Sequence, residues 1–81
     1  MQTVTIDGYD SYSETIIPVI MVWKNHKDRS QGIVGKVRHG RKVKLIREEG
    51  RGILIEFGWL HKKRGWVTYW FIRERKYNAG S

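Results

Sequence analysis

The chain contains no cysteine, which excludes a disulfide framework and any thiolate metal site and leaves packing as the source of stability. Its three histidines, His26, His39 and His61, are too scattered to suggest zinc ligation by themselves. It lacks a glycine-rich phosphate loop leading into a helix, a nucleophile elbow, and a carboxylate pair with an evident catalytic role. The longest apolar run, IIPVIMVW from Ile16 to Trp23, contains the single proline and falls far short of the roughly 20 residues that span a bilayer as a helix. The opening MQTVTIDGYDSYSE has neither the basic start nor the apolar run of a secretory signal. At 81 residues a deep substrate cavity is not expected either. These absences predict a cytoplasmic protein that acts by binding, with no enzyme activity, cofactor, metal, membrane contact or small-molecule substrate.

Acidic residues are also few, and they are unevenly placed. Residues 1–23 hold Asp7, Asp10 and Glu14 with no Lys or Arg, a balance of −3. Residues 24–81 hold all 16 Lys and Arg against five acids, a balance of +11. A cationic body suits a polyanionic partner, because neutralising phosphates releases counterions. The same charge would also keep a small domain in solution.

What is abundant is strand-forming sequence. TVTI, IIPVIMVW, KVKLIR, ILIEF and GWVTY are rich in β-branched and aromatic residues and are separated by turn signals. No window sustains helical periodicity over three turns, so helix is expected to amount to a short 3-10 turn at most. Strand alternation puts Val43, Leu45, Ile53, Ile55 and Phe57 on one face, the predicted core, with Lys44, Ile46, Leu54 and Glu56 opposite. REEGRG, 47–52, supplies a tight hairpin connection, and GWLHKKRG, 58–65, a longer cationic loop. A three-stranded meander is marginal alone, so it must close on itself or pair with the N-terminal strands. The acidic, tyrosine-bearing segment around Asp7 to Glu14 either folds over the basic body or extends the sheet. An exposed run from Ile16 to Met21 would favour self-association.

The segment GIVGKVRHGRKVKLIREEG followed by RGWVTYWFI resembles the bacterial Src-homology-type (SH3b-like) domain. Val34, Gly35, Val37, Gly40, Val43 and Leu45 match its middle segment, and Gly65, Trp66, Val67, Phe71 and Ile72 its Gly-Trp-Val turn and closing pair. The stretch Gly35 to Leu45 also resembles the KOW motif of ribosomal and transcription proteins, which binds RNA or polymerase. Either resemblance implies a small SH3-like antiparallel β-barrel of five to seven short strands. The core would occupy 22–73, with 1–21 pairing with or covering it and 74–81 as a tail, and the source would be bacterial or phage. By this resemblance Val67 is core and Trp66 faces the groove. Thr68, Trp70 and Phe71 stand where eukaryotic members carry the proline, asparagine and tyrosine that grip proline-rich peptides, so that recognition mode is not expected.

The candidate interface follows from cations interleaved with rings. Arg38, Arg41, Lys42 and Lys44 form one cluster together with Lys36 and His39; Lys62, Lys63 and Arg64 form a second; Arg73, Arg75 and Lys76 form a third. On a polyanion such cations position without reading sequence. Trp59, Trp66 and Trp70 are the rings able to stack on bases or receive arginine. The competing assignment makes the rings barrel plugs and the cations solvated strand exteriors. The expected ligand is nucleic acid, the alternative a protein partner or a second copy of the chain.

Overall fold

A computed structural model describes residues 1–76. In chain order the strands are β1 (Gln2–Thr5), β2 (Tyr9–Asp10), β3 (Thr15–Ile16), β4 (Val19–Trp23), β5 (Ile33–Arg38), β6 (Lys42–Glu49), β7 (Gly52–Phe57) and β8 (Lys63–Thr68). Two 3-10 turns, Arg29–Gln31 and Tyr69–Phe71, and a four-residue helix α1, Arg73–Lys76, complete the described chain. Six strands form one antiparallel sheet in the order β1-β6-β7-β8-β4-β5, and β2 and β3 form a separate ribbon. Among the described residues no ladder joins β1 to β5, so the sheet is not closed by hydrogen bonds.

The pattern IIPVIMVW divides at its proline, with Ile16 ending β3 and Val19 starting β4. Pro18 has no N–H to give to a ladder, which confines it to the break between them. Alternation then holds through β4, where Ile20 and Val22 are buried while Met21 is exposed. The core comprises Val43, Leu45, Ile53, Ile55 and Phe57, as the alternation predicts, joined by Val4, Ile6, Ile20, Val22, Val37, Val67 and Ile72. Each fully buried Val or Ile contributes about 1.5–3 kcal/mol relative to exposure.

Glycine lets the sheet fold over itself. A Cβ on Gly65 would stand 2.5 Å from Val34 Cγ2 and 2.6 Å from Val22 Cγ1. Both distances are closer than carbon atoms can approach. A bare backbone at this point of β8 therefore brings β4 and β5 down across the inner face.

Between Leu45 and Arg47 the β6–β7 register slips by one residue, leaving Ile46 as a bulge. Arg47 consequently pairs with Leu54 on the outer face. Simple alternation would have put Arg47 inside with Val43 and Leu45. The bulge also carries Glu48 onto the row of Ile53 and Val67, where Nε and Nη2 of Arg75 lie 2.7 and 2.8 Å from its carboxylate oxygens.

Both ends of the described chain are fastened to the same place. Ile6 bridges Ile72, and the Thr5 N–H and hydroxyl donate to the Glu74 carboxylate at 2.8 and 3.0 Å. Residues 74–76, expected as part of a tail, thus belong to a helical turn docked on β1; the rest of that expected tail, 77–81, lies outside the described residues. This helical turn is also more helix than the sequence pattern predicts.

Candidate functional site

Register arranges the outer face of the sheet into two rows of different chemistry. The first runs Thr3, Lys44, Glu56, Arg64 across β1, β6, β7 and β8. Lys44 Nζ donates to Thr3 Oγ1 at 2.9 Å, and Lys42 Nζ to Thr5 Oγ1 at 2.8 Å. Hydroxyl partners orient these ammonium groups, and Lys42 shares its threonine hydroxyl with Glu74, whose carboxylate its charge helps to hold ionised. Arg64 differs, because its Nε donates to Glu56 Oε2 at 3.0 Å.

Beside this row lies a shallow cleft of about 170 Å³, lined among others by Arg41, Lys42, Lys44 and Lys62. Three cations of the first sequence cluster, from β6 and the turn before it, therefore meet one of the second, Lys62 of the β7–β8 loop. Glu56 supplies the only carboxylate among the lining residues, and it is the one that Arg64 holds.

The second row runs Arg47, Leu54, Trp66, Trp23 across β6, β7, β8 and β4. It exists in this form because of the Ile46 bulge. Trp66 lies on this outer face, yet it is only 8% exposed. The His26 ring covers it with centroids 4.3 Å apart, and Arg47 Cζ stands 5.5 Å from its centroid. Arg29 Cζ in turn sits 4.6 Å over the Trp23 ring. A Cβ on Gly52 would meet His26 Cγ at 2.6 Å, so the imidazole rests where β7 has no side chain. A small hollow of about 40 Å³ remains among Trp23, His26, Arg29, Arg51 and Trp66.

Trp66 and the cleft cations thus lie on different rows of the sheet. Trp66 is a covered outer-face ring and is not available as a stacking platform. Trp70 is 44% exposed within the turn after β8, edge-on to Tyr69 at 5.6 Å and to Phe71 at 6.1 Å. Trp59 is 86% exposed in the β7–β8 loop, whose Gly58 and Lys62 both line the basic cleft. Lys63 is exposed at the start of β8, and Arg38 at the end of β5, joined to Arg41 by a turn bond of 3.1 Å.

The third cluster has a different role. Asp7, 2% exposed, accepts the Tyr9 N–H at 2.9 Å and faces Arg73 Nε at 3.5 Å and Lys76 Nζ at 3.8 Å. Burial works against its ionisation, but the Tyr9 N–H and the two cations outweigh it and hold the carboxyl below its ordinary value. Glu74 is held below its ordinary value as well: burial again opposes, and the Thr5 donors and the Lys42 ammonium prevail. With Arg75 on Glu48, the cations of residues 73–76 are answered internally.

Two of the three histidines, His26 and His39, and Asp28 have partners of their own. His39 Nδ1 accepts the Gly8 N–H at 3.0 Å, His26 stacks on Trp66, and Asp28 accepts the Ser30 N–H at 3.1 Å at the start of a 3-10 turn. Among the described residues no group of three or more metal-ligating side chains is arranged to hold an ion, and no helix is long and apolar enough to cross a membrane. Sequence reasoning missed Trp23, Arg29, Arg47 and Arg51 as a surface group. Alternation in VIMVW would have turned Trp23 outward beside Met21; nothing in the sequence marks the bulge that re-aims Arg47.

Comparison of the chain with protein-family models, curated proteins and solved structures finds no match.

Proposed function

We propose that this chain is a non-catalytic, cytoplasmic, SH3-like binding module whose ligand is nucleic acid. The fold-back of β4 and β5 over the β6–β7–β8 meander supports the SH3-like reading. The convergence of Arg41, Lys42, Lys44 and Lys62 on one cleft carries the ligand reading. These cations come from two sequence clusters, and the one lining carboxylate is already paired, so the cleft presents positive charge to whatever enters it. Phosphates held there would be positioned without base readout. Four such contacts imply a log–log salt slope of about −3 to −4 on duplex DNA.

The test is a titration of labelled duplex and single-stranded oligonucleotides at two salt concentrations, with the wild type and a Lys42→Ala/Lys44→Ala/Lys62→Ala variant. Binding at low salt that weakens steeply with salt, and weakens again in the variant, is the expected result. No binding at low salt removes the reading.

A second reading, an assembly module, is favoured by the apolar side chains left exposed from β3 to β5, Ile16, Ile17, Met21 and Ile33. A concentration-independent monomer in light scattering would count against it.

A further inference from the structure

The β7–β8 loop is the most exposed apolar feature beside the cleft. Trp59 is 86% and Leu60 80% exposed, at the tip of a turn that carries no carboxylate from Gly58 to Arg64. The turn is sharply set: Gly58 has φ +115°, and a Cβ there would run into the His61 carbonyl oxygen. Only glycine fits, so the two apolar side chains are held out by a constrained backbone. Gly58 and Lys62, on either side of the tip, both line the basic cleft. The tip therefore stands on the rim of the surface that takes phosphates.

We propose that the cleft seats the phosphate backbone of duplex DNA while Trp59 and Leu60 enter the adjoining groove as an apolar wedge that unstacks a base step and bends the duplex. This rests on the nucleic-acid reading above and specifies its ligand and mode. A single-stranded ligand calls for rings disposed in series along a cationic groove. Among the described residues Trp59 is the exposed ring beside the cleft, Phe57 in its lining belongs to the core, Trp66 is covered by His26, and Leu60 has no face to stack on a base. An apolar pair flanked by cations instead matches the chemistry of insertion between base pairs, with the surrounding charges holding the strands on either side. A bilayer surface would reward the same apolar pair, but it is broad and flat. The cations here line a recess, which a strand of phosphates can enter.

Insertion costs least where the duplex is already easy to unstack, so flexible pyrimidine–purine steps and mismatches are the preferred sites. No base-edge contact is needed for that preference.

The experiment uses the full chain, terminally dye-labelled duplexes with a central mismatch, with a central TA step or with G·C steps throughout, a single strand, phosphatidylserine vesicles, and the variants Trp59→Ala/Leu60→Ala and Lys42→Ala/Lys44→Ala/Lys62→Ala. Both sets of side chains are exposed, and circular dichroism checks that each variant folds. The wild type is expected to raise energy transfer between the duplex ends and to prefer the mismatched duplex by about tenfold. The Trp59→Ala/Leu60→Ala variant is expected to lose bending and to bind the mismatched and G·C duplexes alike. Binding without bending, bending undiminished in that variant, or tighter binding to the single strand overturns the wedge and leaves the nucleic-acid reading standing. Absence of any oligonucleotide binding overturns both, as does binding only to phosphatidylserine vesicles with loss in the tip variant.

Discussion

The cations of residues 73–76 and those of residues 41–44 look alike in sequence and behave oppositely in the fold. Arg73 and Lys76 converge on the buried Asp7, and Arg75 is gripped by Glu48. Lys42 and Lys44 are held by threonine hydroxyls, and with Arg41 they face a cleft whose one carboxylate belongs to Arg64. Net charge counts the two groups equally. Pairing decides that one fastens the ends of the described chain together and the other is left facing the cleft.

The largest effect is expected from breaking the first group. Asp7→Ala removes an acceptor that is 2% exposed and strands two cations beside it. Partial exposure of Arg73 and Lys76 softens the loss, so a destabilisation of about 2–3 kcal/mol is expected in urea unfolding. The mirror experiment is Lys42→Ala/Lys44→Ala/Lys62→Ala. It is expected to change stability by no more than about 1 kcal/mol, and to weaken oligonucleotide binding about 100-fold at low salt. If the two variants exchanged these outcomes, the division between fastening and ligand-facing cations would be wrong.

Acid should expose the same division. Asp7 and Glu74 have folded pKa values below their unfolded ones, so the stability they supply is fully present above the unfolded values, near pH 4. It is lost as the pH falls from there through the folded values. Thermal melts from pH 6 down to pH 2 should show the wild type losing stability in that range, and Asp7→Asn losing less.

How much of this was legible depended on the range over which each feature is determined. Val43, Leu45, Ile53, Ile55 and Phe57 could be read as core because alternation is local and the strands that carry them are regular. IIPVIMVW reads as one strand through Pro18, although the missing N–H of that residue is what divides it into β3 and β4. Arg47 could not be placed, since the bulge at Ile46 arises from how β6 meets β7. Nor could the covering of Trp66, which requires His26 to fall over the bare Gly52 from a different part of the chain. The pairing of Asp7 with Arg73 joins residues 66 positions apart and leaves no trace in either segment. Hence the cationic clusters were visible as clusters, while which of them was free was not.

Arg64 lies between the two classes, and it offers the finest test of the comparison. By sequence it belongs with Lys62 and Lys63; by structure Glu56, only partly exposed, has claimed it. Glu56→Gln keeps the shape of the side chain, removes the cleft's one carboxylate and releases Arg64. The ion pair is partly solvated, so its loss should cost about 0–1 kcal/mol of stability. For a phosphate ligand the same substitution adds one effective positive charge at the cleft edge. Affinity for duplex DNA should rise about two- to fivefold at low salt, with a salt slope steeper by up to about one unit. An unchanged or reduced affinity would mean that phosphates do not approach the row of Lys44, Glu56 and Arg64, and that the cations beside it are solvated strand exterior after all.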